Sequence, residues 1–275
     1  MRIGLSTYTY SWAVGVPGHE PAEPLSAIQL VDRASALGVP TVQIANNLPL
    51  EATSDQDLDA LARHANGLRI SLEVGTRGIR PDHLQRYLDI AARLGSPILR
   101  VVVDRAGHEP SPDEIVTLLG QQERAFRDAG ITLAIENHDR LPSATLAEIV
   151  RRLGVEWVGI CLDTVNSLGA LEGPDVVIDT LAPITVNLHV KDLDIVRTNS
   201  GMGFSVEGRP VGQGRLNLPR LLEAVGGPER DITAVIELWT PRRRTLGETI
   251  DLEYRWAQQS VAHLKEVLLK GLTIG

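Results

Sequence analysis

The sequence predicts a single (β/α)8 TIM barrel that forms one domain over residues 1–275. Eight short apolar runs alternate with eight segments of helical periodicity, which is the order expected for a parallel sheet covered by helices. The length is close to the ~250 residues typical of such barrels, and no linker or low-complexity tract divides the chain. A doubly wound open sheet is the alternative. The sequence has no G-x-G-x-x-G motif after the first strand and no Walker-type motif, which counts against its nucleotide-binding versions.

The predicted strands are mostly continuous apolar runs bounded by turn residues, as expected for strands buried on both faces. Several of these runs end abruptly in polar residues, and the most marked case is the stretch ITLAIENHDR at residues 131–140. The strands cover residues 2–7, 41–45, 69–74, 97–103, 131–136, 158–163, 185–192 and 234–239.

The predicted helices lie between these strands and are bounded by residues that cap or stop helices. Ser54 suits an N-cap, Pro81 suits a first helical turn, and Gly38 supplies a stop. The segment 192–216 breaks the rhythm because it is long and contains five glycines, which predicts a functional lid or disorder. The helices cover residues 25–37, 54–67, 81–95, 112–129, 143–153, 175–181, 218–225 and 248–269.

Composition narrows the class of partner and the compartment. The formal net charge of −8 argues against a general nucleic-acid or anionic-membrane binder, since either would show a basic footprint. The N-terminus lacks a signal-peptide pattern, and no apolar stretch approaches the roughly 18 residues of a membrane span, so a cytoplasmic location is expected. Cys161 is the only cysteine, which excludes an intrachain disulfide and predicts a small buried hydrophobe at that position.

Four consecutive predicted strands each deliver one side chain that can bind a metal. Glu136, Asp163, His189 and Glu237 lie at or near the carboxyl ends of the fifth to eighth strands, where barrels place their chemistry. Three carboxylates and one imidazole favour Mn²⁺ or Mg²⁺ over structural Zn²⁺. Taken singly, Asp163 also suits a helix N-cap and His189 a non-ligand, whereas a glutamate within an apolar run is costly without a partner. The four together predict a divalent metal site.

The runs IENHDR, CLDTVNS, NLHVKD, VGQGRL and IELW resemble the sugar isomerase/epimerase superfamily with the xylose-isomerase-like barrel, over nearly the whole chain. The resemblance implies that Glu136, Asp163, His189 and Glu237 bind one Mn²⁺, or Mg²⁺ or Co²⁺, per active site. It further implies that Glu136 and Glu237 act as the catalytic acid and base, as they do in ketose 3-epimerases. Related barrels often form dimers or tetramers, so the resemblance makes a homo-oligomer an expectation.

The expected substrate is a sugar or keto-sugar. Removing a proton next to a carbonyl creates an enediolate, whose oxygens a chelated divalent cation stabilises. One glutamate on each face of the substrate would invert a carbon, whereas proton transfer between adjacent carbons on one face would interconvert aldose and ketose. The sequence leaves both outcomes open.

One position departs from the 3-epimerase pattern. In that group the motif at the sixth strand resembles D-x-x-H, and here Asn166 stands in place of the histidine. Asparagine can hydrogen-bond a substrate hydroxyl but cannot carry a proton as a cation, so the substrate preference of the 3-epimerases does not transfer directly. His138 is a candidate to take over part of this role, with a loop histidine that caps backbone groups as the equal alternative.

Further candidates to contact the substrate lie near the other strand ends. For each of them a solvated or packing role is the ordinary alternative. Asp192 is a candidate to orient a ligand, and Glu73 and Arg105 are candidates to line the barrel mouth. The other candidate substrate contacts are Lys191, Arg209, Tyr8, Trp12 and Trp239.

Three competing functions stay open. A lyase or dehydratase acting on a keto-sugar or keto-glycoside would use the same metal and enolate but expel a leaving group. An endonuclease of the apurinic-site type would need several extra histidines for a trinuclear Zn²⁺ centre, and the second and third strands end in Asn46 and Glu73 instead. A barrel that binds a sugar without turnover is the non-enzymatic alternative.

Overall fold

Eight parallel strands close into a barrel in the computed structural model, which describes residues 1–272. The strands of the described residues are β1 (Arg2–Ser6), β2 (Thr41–Ile44), β3 (Ser71–Arg77), β4 (Ile98–Val102), β5 (Thr132–Glu136), β6 (Val158–Asp163), β7 (Thr185–Val190), β8 (Asp192–Arg197), β9 (Phe204–Arg209) and β10 (Thr233–Ile236). β8 and β9 form a separate two-stranded sheet. The barrel order of the other eight is β1-β10-β7-β6-β5-β4-β3-β2, and β1 closes the barrel by pairing with both β2 and β10. This confirms the predicted TIM barrel.

Helices surround the barrel and begin where the sequence places capping residues. Ser54 accepts a hydrogen bond from the backbone N–H of Asp57, and Pro81 occupies the first turn of its helix, as predicted. The helices are α1 (Ser11–Val14), α2 (Ala27–Ala36), α3 (Asp55–Gly67), α4 (Pro81–Leu94), α5 (Pro112–Gly120), α6 (Glu123–Ala129), α7 (Ser143–Leu153), α8 (Pro174–Leu181), α9 (Leu218–Ala224) and α10 (Leu246–Leu272). No helix of the described chain is long and apolar enough to cross a membrane.

Two predictions about the elements were wrong. The helix predicted over residues 112–129 is two helices, because α5 ends at Gly120 and α6 begins at Glu123. The segment 192–216 is not disordered, which was one of the two predicted alternatives, because it contains an antiparallel hairpin in which β8 and β9 pair from Asp192 with Arg209 to Arg197 with Phe204. The other alternative, a functional lid, stays a prediction. The hairpin base packs closely on the chain after β10, since a Cβ at Gly208 would meet the carbonyl oxygen of Trp239 at 2.2 Å.

The barrel interior is polar, whereas apolar residues such as Leu99 and Leu133 are fully buried in the hydrophobic core. Gln43 on β2 contacts Asn187 on β7, although β1 and β10 separate these two strands in the barrel. Their side chains therefore meet inside the barrel. This polar interior lies directly beneath the candidate site.

Candidate active site and metal centre

Four acidic or imidazole side chains converge inside the mouth of the barrel. Glu136 and Asp163 end β5 and β6, His189 is the second-to-last residue of β7, and Glu237 follows β10. The Nδ1 atom of His189 lies 3.5 Å from Oε2 of Glu136, 3.7 Å from Oδ2 of Asp163 and 3.5 Å from Oε1 of Glu237. The structure thus brings together the four residues that the sequence singles out as metal ligands.

The atoms that face one another in this cluster lack hydrogen-bond partners among the described residues. They are Nδ1 of His189, Oδ2 of Asp163, Oε2 of Glu136 and both carboxylate oxygens of Glu237. Lys191 and Arg100 lie beside three of these oxygens, but Nδ1 of His189 and Oε1 of Glu237 have no partner outside the cluster among the described residues, and burying such atoms unpaired is costly. The ligand atoms of Asp163, His189 and Glu237 all lie within 4.8 Å of one another, close enough to surround one ion. The residues present therefore fit a hard divalent cation.

The charges around Nδ1 of His189 make the centre of the cluster strongly attractive to a cation. Burial by itself lowers the pKa of His189, yet the acidic groups around it, among them the carboxylates of Glu237 and Glu136, raise it well above its ordinary value. A position that attracts a proton this strongly also attracts a divalent ion. Cys161 itself stays a thiol, because burial raises its pKa to about 11.

Two buried cationic side chains form ion pairs with the carboxylates of the cluster. The Nζ atom of Lys191 lies 2.8 Å from Oδ2 of Asp163 and 2.9 Å from Oε2 of Glu237, so it forms an ion pair with each. The Nε atom of Arg100 lies 2.5 Å from Oε2 of Glu136, and both side chains are 2% exposed. Burial by itself raises the pKa of Glu237, but the surrounding positive charges outweigh this effect and lower it. These cations favour the charged, carboxylate form of Glu237.

Arg100 is a residue of the site that sequence reasoning missed. It lies in the middle of the apolar run PILRVVV, and its signal was available there. A charged side chain in such a run is costly unless it has a partner, which is the same argument that singles out Glu136.

A hydrogen-bonded network beneath the cluster fixes the orientation of His189. The amide nitrogen of Gln43 donates to Oε2 of Glu73 and to Oδ1 of Asn187, both at 3.1 Å. Its Oε1 atom therefore faces Nε2 of His189, at 2.7 Å. Because an amide oxygen only accepts, Nε2 carries a hydrogen, and in the neutral imidazole that binds a metal the lone pair of Nδ1 is directed at the carboxylate cluster.

Asn166 connects the two halves of the cluster. Its Nδ2 atom donates to Oε1 of Glu136 at 2.7 Å, and its Oδ1 atom accepts from Nζ of Lys191 at 3.3 Å. The backbone N–H groups of Val165 and Asn166 donate to Oδ1 of Asp163, which leaves Oδ2 to face the cluster. Asn166 therefore holds charged groups in place as well as lining the cavity.

A cavity of about 690 Å³ opens above the cluster and is large enough for a sugar-sized molecule. Most of the predicted substrate-binding residues line it. Among the predicted residues, those at the cavity wall are Tyr8, His138, Asn166, Lys191 and Trp239, together with Glu136 and Glu237.

Two predicted substrate contacts lie outside the cavity lining. The indole Nε1 of Trp12 donates to the carbonyl oxygen of Thr240 at 2.8 Å, so this ring fixes the chain after β10. Arg209 belongs to the β8–β9 hairpin and pairs with Glu207 at 3.0 Å and with Asp194 at 3.6 Å. Their roles as substrate contacts gain no support from this geometry.

Three weaker predictions are corrected. Glu73 does not line the mouth, because it accepts a hydrogen bond from Thr233, the first residue of β10, and lies low in the barrel interior. Arg105 lines a separate surface depression. Asp192 orients no ligand and instead holds residues 212–216, accepting from the backbone N–H groups of Gly212 and Gly214.

Comparisons with known proteins agree with this architecture. The model of the xylose isomerase-like TIM barrel family matches residues 31–267. The 3-oxo-isoapionate decarboxylase of Pectobacterium atrosepticum is 34% identical over 266 residues, which cover 96% of this chain and 95% of that protein.

Solved structures with lower identity share the fold. The D-psicose 3-epimerase from Clostridium cellulolyticum H10, solved with D-tagatose, has a TM-score of 0.74 at 15% identity and covers 98% of this chain and 99% of its own. A xylose isomerase-like TIM barrel protein from Mycobacterium smegmatis, solved in complex with magnesium, has a TM-score of 0.63 at 14% identity and covers 97% of both chains. On the family model and the 34% identical relative, the chain belongs to the xylose isomerase-like TIM barrel family.

Proposed function

We propose that this protein is a divalent-metal-dependent decarboxylase of a 3-oxo sugar acid. The relative that matches almost the whole chain is named as a 3-oxo-isoapionate decarboxylase. The observation that carries the proposal is the pairing of each glutamate with a buried cation, Glu136 with Arg100 and Glu237 with Lys191. Each glutamate is thus occupied by an ion pair, the pKa of Glu237 is lowered by the positive charges around it, and the proposed reaction requires no base.

Loss of CO₂ from a 3-oxo acid needs no base, because the bond that breaks supplies the electron pair of the enolate. The bond between the carboxylate carbon and C2 breaks, and its electron pair forms a double bond between C2 and C3. The π pair of the C3 carbonyl moves onto oxygen, which becomes an enolate. After CO₂ leaves, C2 takes a proton from solvent and the carbonyl is restored. The site must therefore place positive charge next to the C3 oxygen.

The buried cations of the cavity meet this requirement. Lys191 and Arg100 both line the cavity, and their charges act in surroundings of low dielectric constant, where an interaction with an anion is stronger than in water. Burial by itself lowers the pKa of Lys191, but Asp163 and Glu237 raise it above its ordinary value, so the ammonium stays charged. We assign Lys191 and Arg100 to binding the developing enolate.

The proposed metal would add a further positive charge at this site. A divalent cation held by Glu136, Asp163, His189 and Glu237 would supply Lewis-acid stabilisation of the enolate. We propose Mn²⁺, with Mg²⁺ and Co²⁺ as the other candidates, because the donor set is rich in oxygen.

Isomerisation or epimerisation of a keto-sugar is the second candidate function. The observation in its favour is that Glu136 and Glu237 each lie 3.5 Å from Nδ1 of His189 and so flank one point. In this alternative the two glutamates remove and return a proton through an enediolate. One of them would first have to give up its buried cation, which is why this function ranks second.

Product analysis in D₂O separates the two candidates. The enzyme is incubated with MnCl₂ and either 3-oxo sugar acids or neutral ketoses, and the reaction is followed by NMR. The proposal predicts that a 3-oxo acid releases CO₂ and gains one deuterium in the product, with no exchange in the substrate that remains. Deuterium exchange into a neutral ketose without CO₂ release from any acid would establish the second candidate instead.

A further inference from the structure

Arg77 carries a positive charge at the cavity that no carboxylate of the described chain neutralises. It is the last residue of β3, it is half-buried and it lines the cavity. Its Nε atom donates to the backbone carbonyl of Asp104 at 3.0 Å, which fixes the guanidinium through a neutral acceptor. The carboxylate of Asp104 is not available to it, because both oxygens accept from Arg140, at 2.6 Å and 3.2 Å.

This arginine differs from the other one in the cavity. Arg100 is neutralised by Glu136, whereas the side-chain neighbour of Arg77 is the imidazole of His138, with Nδ1 at 3.5 Å from an Nη atom of Arg77. His138 also lies 3.1 Å from Asp139, a carboxylate that is 67% exposed and therefore screened by water. A fixed, unpaired guanidinium at a concave wall is the arrangement that recognises a carboxylate.

The topology places this charge across the mouth from the metal cluster. In the strand order of the barrel, β3 stands directly opposite β7, which carries His189. Along β3, Arg77 is one inward-facing position above Gly75, which pairs with Arg100. A molecule held near His189 and Arg100 would therefore extend towards Arg77.

We propose that Arg77, supported by His138, forms a subsite for the carboxylate of the substrate, so that the cavity selects oxo acids over neutral ketoses. That the acid is a 3-oxo acid rests on the decarboxylation proposed above. The carboxylate loses its negative charge as CO₂ forms, so Arg77 binds the substrate at least as well as the transition state. Its loss should therefore raise KM and leave kcat nearly unchanged.

The test compares two ligands that differ at one carbon. 2-Keto-D-gluconate and D-fructose share the same carbon skeleton and configuration, with a carboxylate or a CH₂OH group at C1. Their affinities are measured by calorimetry in buffer containing MnCl₂ for the unchanged protein, Arg77→Met, Arg77→Lys and the control Arg105→Met. Arg105 is a suitable control because it is a neighbouring exposed arginine outside the cavity.

We expect Arg77→Met to weaken binding of 2-keto-D-gluconate by about 10- to 100-fold, the range for a hydrogen-bonded ion pair. The affinity of Arg77→Lys for 2-keto-D-gluconate should lie between those of Arg77→Met and the unchanged protein. Neither variant should alter the affinity for D-fructose. Unchanged affinity of Arg77→Met for the acid, with a thermal unfolding curve like that of the control, would overturn the subsite. Arg77-dependent binding of the acid without CO₂ release from any 3-oxo acid would support the subsite while rejecting the decarboxylase. CO₂ release from a 3-oxo acid, with the same KM in Arg77→Met as in the unchanged protein, would support the decarboxylase and reject the subsite.

Discussion

Replacing Gln43 by leucine tests whether the polar barrel interior orients the metal-binding imidazole. Gln43 is fully buried and contacts three groups, His189 at 2.7 Å and Glu73 and Asn187 at 3.1 Å each. Leucine fills a similar volume but offers none of these groups a partner. The N–H of His189 would be left with no acceptor, and Glu73 would lose one of its three hydrogen-bond donors.

The magnitude follows from these losses. A buried polar group left without its partner costs about 1–3 kcal/mol, so two such losses lower the free energy of unfolding by about 2–6 kcal/mol. With Nε2 no longer held, the imidazole can rotate or change tautomer. Loss of such an outer contact typically weakens metal binding by about 10- to 100-fold.

Two measurements and one control variant decide the outcome. Guanidinium denaturation followed by circular dichroism gives the change in stability, and the EPR signal of free Mn²⁺ gives the change in affinity. Gln85→Leu is the control, because Gln85 is exposed and bonds only Asp89, at 2.9 Å. The reasoning fails if Gln43→Leu is no more destabilising than Gln85→Leu, or if its affinity for Mn²⁺ equals that of the unchanged protein.

Three further predictions follow from other parts of the structure. Burial raises the pKa of Glu253 from 4.5 to about 7, so its contribution to stability is complete below pH 4.5 and is lost as the pH rises through 7. The loss of stability is about 3 kcal/mol. It should be absent when the urea unfolding of Glu253→Gln is measured against pH, and parallel pH profiles for the variant and the unchanged protein would contradict the prediction. Elemental analysis should find Mn²⁺ in the unchanged protein and little or none in Asp163→Ala and His189→Ala, and full retention in both variants would rule out the metal site. Gly208→Ala should lower the thermal midpoint measured by circular dichroism, because its methyl group would meet the carbonyl oxygen of Trp239 at 2.2 Å; an unchanged midpoint would show that the hairpin base is not closely packed.

The convergence of the four proposed ligands could be predicted from the sequence. Each apolar run that ends in Glu136, Asp163, His189 or Glu237 is a parallel strand, and the carboxyl ends of parallel strands share one end of a barrel. Strand type and strand order therefore suffice to bring these residues to one place. No knowledge of individual contacts is needed.

The polar interior of the barrel could not be predicted from the sequence and is seen only in the tertiary structure. Alternation along a strand shows which residues share a face, but it does not show how deep a side chain lies or what stands across the barrel. Glu73 resembles Glu136 in the sequence, yet it lies low in the interior and bonds Gln43 and Thr233. The depth depends on the stagger between strands, which is a property of the closed sheet.

What the sequence determined by itself is the barrel and the set of side chains at its mouth, because apolar periodicity and strand-end chemistry are local. What only the tertiary structure decided is the pairing of charges, Glu136 with Arg100 and Glu237 with Lys191, and the absence of such a partner for Arg77 within the described residues. These pairings join side chains on or directly after strands that are neighbours in the barrel, β4 with β5 and β7 with β10. The physical reason is that the state of a buried charge depends on the atoms within a few ångströms of it, and the packing of the folded sheet selects those atoms.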